Sequence, residues 1–158
     1  MPFSKTEFFA VFTAYNAAIW PVQLAAILLG SISFLLVWRR PGKARMVVLF
    51  SLAAMWAWTG AVYHILYFSR INPIATAFGA GFILQALFLI FFALKTSAFD
   101  PLSSSRFRWL GAMLGMFAGV VYPVIGALNG HAPPAAPAFG VTPCPLAIFT
   151  LQKTWRCL

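Results

Sequence analysis

Four long apolar runs, at about residues 20–38, 47–68, 74–94 and 109–128, contain no Asp, Glu, Lys or Arg, and the segments between them hold most of the basic residues. Each run is close to the ~20 residues that a helix needs to cross the hydrocarbon of a bilayer. In hydrocarbon every backbone N–H and C=O must find its partner within the protein, which a helix achieves inside each segment. The expected architecture is an all-α, polytopic transmembrane helical bundle forming a single integral membrane domain over residues 1–158. It has four full spans, a short N-terminal interfacial helix and a truncated fifth helix, with the lipid bilayer as its surroundings.

Composition supports that class. Charged residues make up 8% of the chain and hydrophobic residues 62%, whereas a soluble domain carries about 25% charged residues. A net charge of +9 would suggest nucleic acid in a soluble protein. Here the cations sit between apolar runs, so they read as a topology signal and no nucleic-acid partner is expected. Cys144 and Cys157 do not make a disulfide framework. No cleavable signal peptide is evident, and the first span is expected to act as an uncleaved anchor.

Ahead of the first run, Phe3 to Asn16 reads as a short helix lying at the interface. Ser4-Lys-Thr-Glu7 has the spacing of a capping box, in which each side chain satisfies an orphan N–H of the first turn. The alternative is that this helix simply extends the first span. Ser69 to Pro73 forms a tight turn between the second and third runs. Residues 129–145 are a charge-free Pro/Ala/Gly loop, and an incomplete helix follows over 145–152 before Gln152 to Arg156 stops it.

Loop charges orient the bundle. Arg39, Arg40, Lys43 and Arg45 occupy the first loop and Lys95, Arg106 and Arg108 the third, while the second has only Arg70 and the fourth none. Positive loops stay in the cytoplasm, so loops 39–45 and 95–108 are placed there, with the N-terminus and the Pro-rich loop outside. Most of the unusual polar residues then fall in the outer half. Trp58, Tyr63, His64, Tyr67, Asn72 and Tyr122 are the candidate lining of an outward-facing pocket for a small, mostly apolar ligand of unknown identity. Stepping back from His64 by helical turns meets Gly60, Ala61, Ala57 and Ala53, a small-residue stripe that should turn the imidazole towards a neighbouring helix.

Two further constellations stand beside the pocket. His64, His131 and Cys144 are possible soft ligands for a metal or haem, although their spacing matches no zinc or haem signature; no cofactor is preferred. Gly111, Gly115 and Gly119 form overlapping GxxxG spacings, which serve either tight packing within one subunit or a homo-oligomeric scaffold. Enzymatic motifs are missing. Glu7 and Asp100 are the only carboxylates and fall on opposite sides of the membrane, and no P-loop, GxSxG or HExxH pattern occurs. A non-enzymatic binding or accessory module is therefore favoured over the metal or haem protein and the scaffold.

Ala14-Tyr-Asn-Ala-Ala-Ile-Trp-Pro21, Trp58 to His64, Ile71-Asn-Pro73, Phe78-Gly79, Gly130-His131 and Phe139 to Pro145 with Ile148-Phe-Thr150 follow one another in an order that resembles the bacterial multi-pass membrane proteins of domain-of-unknown-function family 6064. The resemblance runs from near the N-terminus to about Leu151. It implies a helical bundle in the bacterial cytoplasmic membrane and carries no activity or cofactor. Members of that family are typically longer, with the helix after Pro-Cys-Pro completed. Residues 152–158 depart from the pattern and read as a truncated or frame-shifted tail.

Overall fold

A computed structural model of the chain describes residues 4–39, 41–95 and 140–154, together with Met113, Phe117, Val121, Val124, Ile125 and Leu128. Every element that it describes is helical. The first is α1, Lys5–Ala18, and it starts at the expected capping box. Ser4 Oγ accepts from the Glu7 N–H at 3.2 Å, and the Glu7 carboxylate accepts from the Ser4 N–H at 2.7 Å and from its hydroxyl at 2.8 Å.

α1 does not run straight into α2, Trp20–Arg39; the axis turns by 75° between them. Pro21 accounts for the break, because its ring collides with the carbonyl four residues back and it has no N–H to donate. The Gln23 side-chain amide braces the elbow, donating to both the backbone carbonyl and the side-chain oxygen of Asn16 at 3.2 Å. α3 spans Pro41–Trp58 and continues without a gap into a π-helix, Thr59–Tyr67, and a 3₁₀ turn, Phe68–Arg70. A turn at 71–74 leads into α4, Ala75–Lys95. α5, Pro143–Thr154, starts with proline at its first position, where the missing N–H is not needed.

The number of spans differs from expectation. Met46–Arg70 and Ala75–Lys95 are each long and apolar enough to cross a membrane, and α1 and α2 meet the same test only when taken together as a bent pair. Among the described residues that makes two such helices, or three with the pair, where four are expected over the whole chain. The elbow at Pro21 accounts for the first run, and residues 109–128 lie outside the described residues except at isolated positions.

α4 packs along α3 and its π-helical extension, and α2 packs on α3. The core between them holds Leu52, Met55, Thr59 and Ala86, and α1 contributes Phe12 and Tyr15. The outward faces remain apolar. Leu24, Leu28 and Leu35 on α2 and Phe88, Phe91 and Phe92 on α4 are all exposed.

The end of the Pro-rich segment turns inward. Gly140, Val141 and Thr142 are buried, and Gly140 adopts φ 74°, a left-handed conformation that suits glycine. A Cβ on Gly140 would stand 2.9 Å from Ala26 Cβ and 3.3 Å from the Met55 sulfur. Gly140→Ala should therefore cost about 2 kcal/mol through backbone strain and crowding together. Chemical unfolding in detergent, followed by far-UV circular dichroism, checks this; an unchanged midpoint would show that the segment does not dock as described.

Candidate functional site

The π-helix is the local departure around which the unusual residues are arranged. Its i→i+5 ladder is rare, and short π segments occur often at functional sites. No proline lies within it. Hydroxyl groups mark its two ends. Thr59 Oγ1 donates to the Met55 carbonyl at 2.9 Å, and Ser69 Oγ donates to the Ile65 carbonyl. These are i−4 back-bonds that supply donors to carbonyls where the ladder changes register. The Phe68 N–H at the far end is shared between the carbonyls of His64 and Tyr63.

Tyr63 and His64 touch, their rings edge-on at 5.0 Å, and the cluster extends from that pair in two directions. Tyr63 and Tyr67 turn towards α1, where their rings stand edge-on to Tyr15 at 5.3 and 5.2 Å. Trp58 joins the same cluster, its indole N–H donating to the Tyr15 hydroxyl at 3.2 Å. That hydroxyl in turn donates to the Val141 carbonyl at 2.6 Å. At the rim, the Arg70 guanidinium lies 5.8 Å from the Tyr67 ring centroid, within range of a cation–π attraction.

His64 faces the other way, towards α4. Its ring is 4.8 Å from that of Phe82 and 6.1 Å from that of Phe78. Its Nε2 is buried and has no hydrogen-bond partner among the described residues. The small-residue stripe expected beneath it is only partly present. Gly60 is buried against α4, but Ala61 is exposed, since the wider π turn carries it off that face. Counting in steps of three and four fails once the ladder changes to five.

Beyond Phe78 and Phe82 lies a lateral groove of about 450 Å³, lined by Trp56, Ile74, Phe78, Gly81, Phe82 and Gln85. Trp56 is fixed on two sides. Its ring is 4.5 Å from that of Phe82, and its indole N–H donates to Thr150 Oγ1 on α5 at 2.9 Å. The groove runs along α4 from Ile74 to Gln85, roughly 16 Å at 1.5 Å per residue.

The candidate residues thus face two ways but stay joined at the Tyr63–His64 ring contact. Trp58, Tyr63 and Tyr67 come together around Tyr15, and His64 backs onto the groove. Asn72 closes the turn, its side-chain oxygen accepting from the Ile74 N–H at 3.2 Å. Cys144 is exposed. Tyr122, His131, Gly111, Gly115 and Gly119 lie outside the described residues. Among the described residues, no three His, Cys, Asp or Glu side chains gather as metal ligands. Tyr15, Trp56 and Phe82 are not among the pocket residues that the sequence nominates, although Trp56 opens the polar-rich stretch that runs to Gly79. Tyr15 reads there as one more apolar position of α1, and nothing short of the tertiary fold brings Val141 to its hydroxyl.

No curated protein and no solved structure matches the chain. Residues 5–153 match the Family of unknown function (DUF6064), and the chain belongs to that family.

Proposed function

We propose that this chain is a multi-pass protein of the bacterial cytoplasmic membrane that binds a small, mostly apolar molecule carrying one polar group, and performs no chemistry on it. Its loops at 39–45 and 95–108 face the cytoplasm and the turn at 71–74 faces outward, in keeping with the distribution of lysine and arginine. On that orientation the groove begins at the outer surface and descends to about mid-membrane at Gln85.

One observation carries the reading: the aromatic groove along α4 has a single amide at its deep end and, behind its wall, an imidazole nitrogen with no partner among the described residues. Binding sites for small molecules are mostly apolar hollows with a few placed polar groups. Gln85 offers both a donor and an acceptor, and an imidazole nitrogen is either one according to its tautomer. A ligand with a hydroxyl or carbonyl at one end and a hydrocarbon body matches this lining.

A photolabelling experiment tests the proposal. A long-chain alcohol bearing a diazirine is irradiated with the detergent-solubilised protein, and labelled peptides are mapped by mass spectrometry. Label is expected on the segments containing Trp56 and Phe82. Gly81→Phe should reduce it at least fivefold by filling the groove, because no atom lies within 4 Å of a Cβ placed there and the variant should fold normally. Uniform labelling of the Phe88, Phe91 and Phe92 face, unaffected by Gly81→Phe, would overturn the reading.

A further inference from the structure

Of the seven described residues that line the groove, six lie between Ile74 and Gln85. They belong to α4 and the turn before it, so the helix itself sets their spacing. Trp56 on α3 is the seventh. The width of the groove therefore depends on where one indole stands.

Thr150 on α5 holds that indole. Its Oγ1 accepts from the Trp56 N–H at 2.9 Å and donates to the Leu146 carbonyl at 2.8 Å. A hydroxyl has one proton and two lone pairs, so the bond to Leu146 leaves lone pairs to meet the indole. Such a back-bond to the carbonyl four residues earlier is common for threonine in a helix. An indole N–H in an apolar surrounding has no water to turn to, which makes this acceptor matter. The grip is itself anchored. Leu146 is fully buried, and ahead of α5 the Val141 carbonyl accepts from the Tyr15 hydroxyl. Thr150 is not among the residues lining the groove, so it reaches the site through Trp56.

We infer that Thr150 is a positioning residue for the groove: by holding the Trp56 indole, α5 sets the width open to a ligand and keeps that N–H from it. The inference rests on the ligand-binding reading and adds a remote element that controls the site. With the indole N–H committed to Thr150, Gln85 is the one polar side chain in the described lining, which favours a ligand with one polar group over a ligand with two. Coupling between two sites is reciprocal. A ligand packed against Trp56 must in turn steady α5.

The test uses the full chain in mild detergent with the diazirine-bearing long-chain alcohol. Thr150→Val keeps the side-chain shape and removes the acceptor. Half-maximal labelling of the segment containing Phe82 should then need roughly three- to tenfold more probe, the cost of ordering one freed side chain on binding. Thr150→Ser should restore the original value, and labelling of the Phe88, Phe91 and Phe92 face should not change. Without irradiation, the probe should slow hydrogen exchange over residues 144–150 of the unaltered chain, and Thr150→Val should abolish that protection. A purely structural role for Thr150 would not make α5 respond to the probe. Should Thr150→Val fail to fold, the exchange comparison on the unaltered chain still decides. Equal labelling of the variant, or α5 exchange indifferent to the probe while the groove is labelled, would overturn the inference and leave the binding reading standing. A groove that takes no label in the unaltered chain would overturn both.

Discussion

Gly79→Ala is expected to lower the unfolding free energy by about 2–3 kcal/mol, the upper part of the range for overpacking a close contact. A Cβ on Gly79 would stand 2.6 Å from Ile65 Cγ1 and 2.8 Å from the Gly60 carbonyl oxygen, and one on Gly60 would stand 2.7 Å from the Gly79 carbonyl oxygen. The Ile65 side chain has other rotamers available, but the carbonyl oxygens belong to the helices and cannot move without separating them. Small residues permit this kind of backbone approach between membrane helices. Gly81 on the same helix supplies the control, because nothing lies within 4 Å of its Cβ. Gly81→Ala should be neutral or stabilising by about 0.5–1 kcal/mol, through the better helix propensity of alanine. Unfolding in a graded denaturing detergent, followed by far-UV circular dichroism, compares the variants directly. Equal behaviour of Gly79→Ala and Gly81→Ala would show that the π-helix and α4 do not meet as described. The two tight glycines touch each other, so the effects of Gly60→Ala and Gly79→Ala should fall short of additive.

What the sequence made legible here was local or periodic. The capping box was readable because Ser4 and Glu7 lie within one helical turn of each other. The helices were readable because 74–94 and its neighbours are apolar over the length of a bilayer. The turn at Asn72-Pro73 was readable too, since asparagine hydrogen-bonds its own backbone two residues on. The change of register at Thr59 was not. It follows no proline, and the hydroxyls of Thr59 and Ser69 that bracket it look like ordinary residues of an apolar run. That single change alters the face assigned to Ala61, in a stretch where Tyr63 and Tyr67 meet Tyr15 of α1 and His64, touching Tyr63, meets Phe82 of α4. The elbow at Ile19 lay between. Pro21 was visible, but a proline in the first turn of a new helix and a proline breaking a longer one look alike in sequence. The partner across the elbow, Gln23 with Asn16, emerges only in three dimensions.

Tyr15→Ala should be among the most damaging substitutions in the chain, because Tyr15 is fully buried and joins three segments distant in sequence. Its ring meets Tyr63 and Tyr67 edge-on, and its hydroxyl donates to the Val141 carbonyl and accepts from the Trp58 indole. Removal of a buried aromatic side chain costs about 3–5 kcal/mol. Tyr15→Phe isolates the polar part. It keeps the ring and leaves the Val141 carbonyl without this donor and the Trp58 N–H without this acceptor, at about 1–3 kcal/mol for a buried group left unsatisfied. Trp58→Phe removes one partner alone, so a double-mutant cycle between Tyr15→Phe and Trp58→Phe should show coupling of about 0.5–1.5 kcal/mol. The informative reading is local. Val141 lies two residues before the start of α5, and α5 holds Trp56 through Thr150. Tyr15→Phe should therefore speed hydrogen exchange at the start of α5 more than within α4. If exchange rose evenly over the whole molecule, Tyr15 would be an ordinary core side chain rather than the tie between α1 and α5.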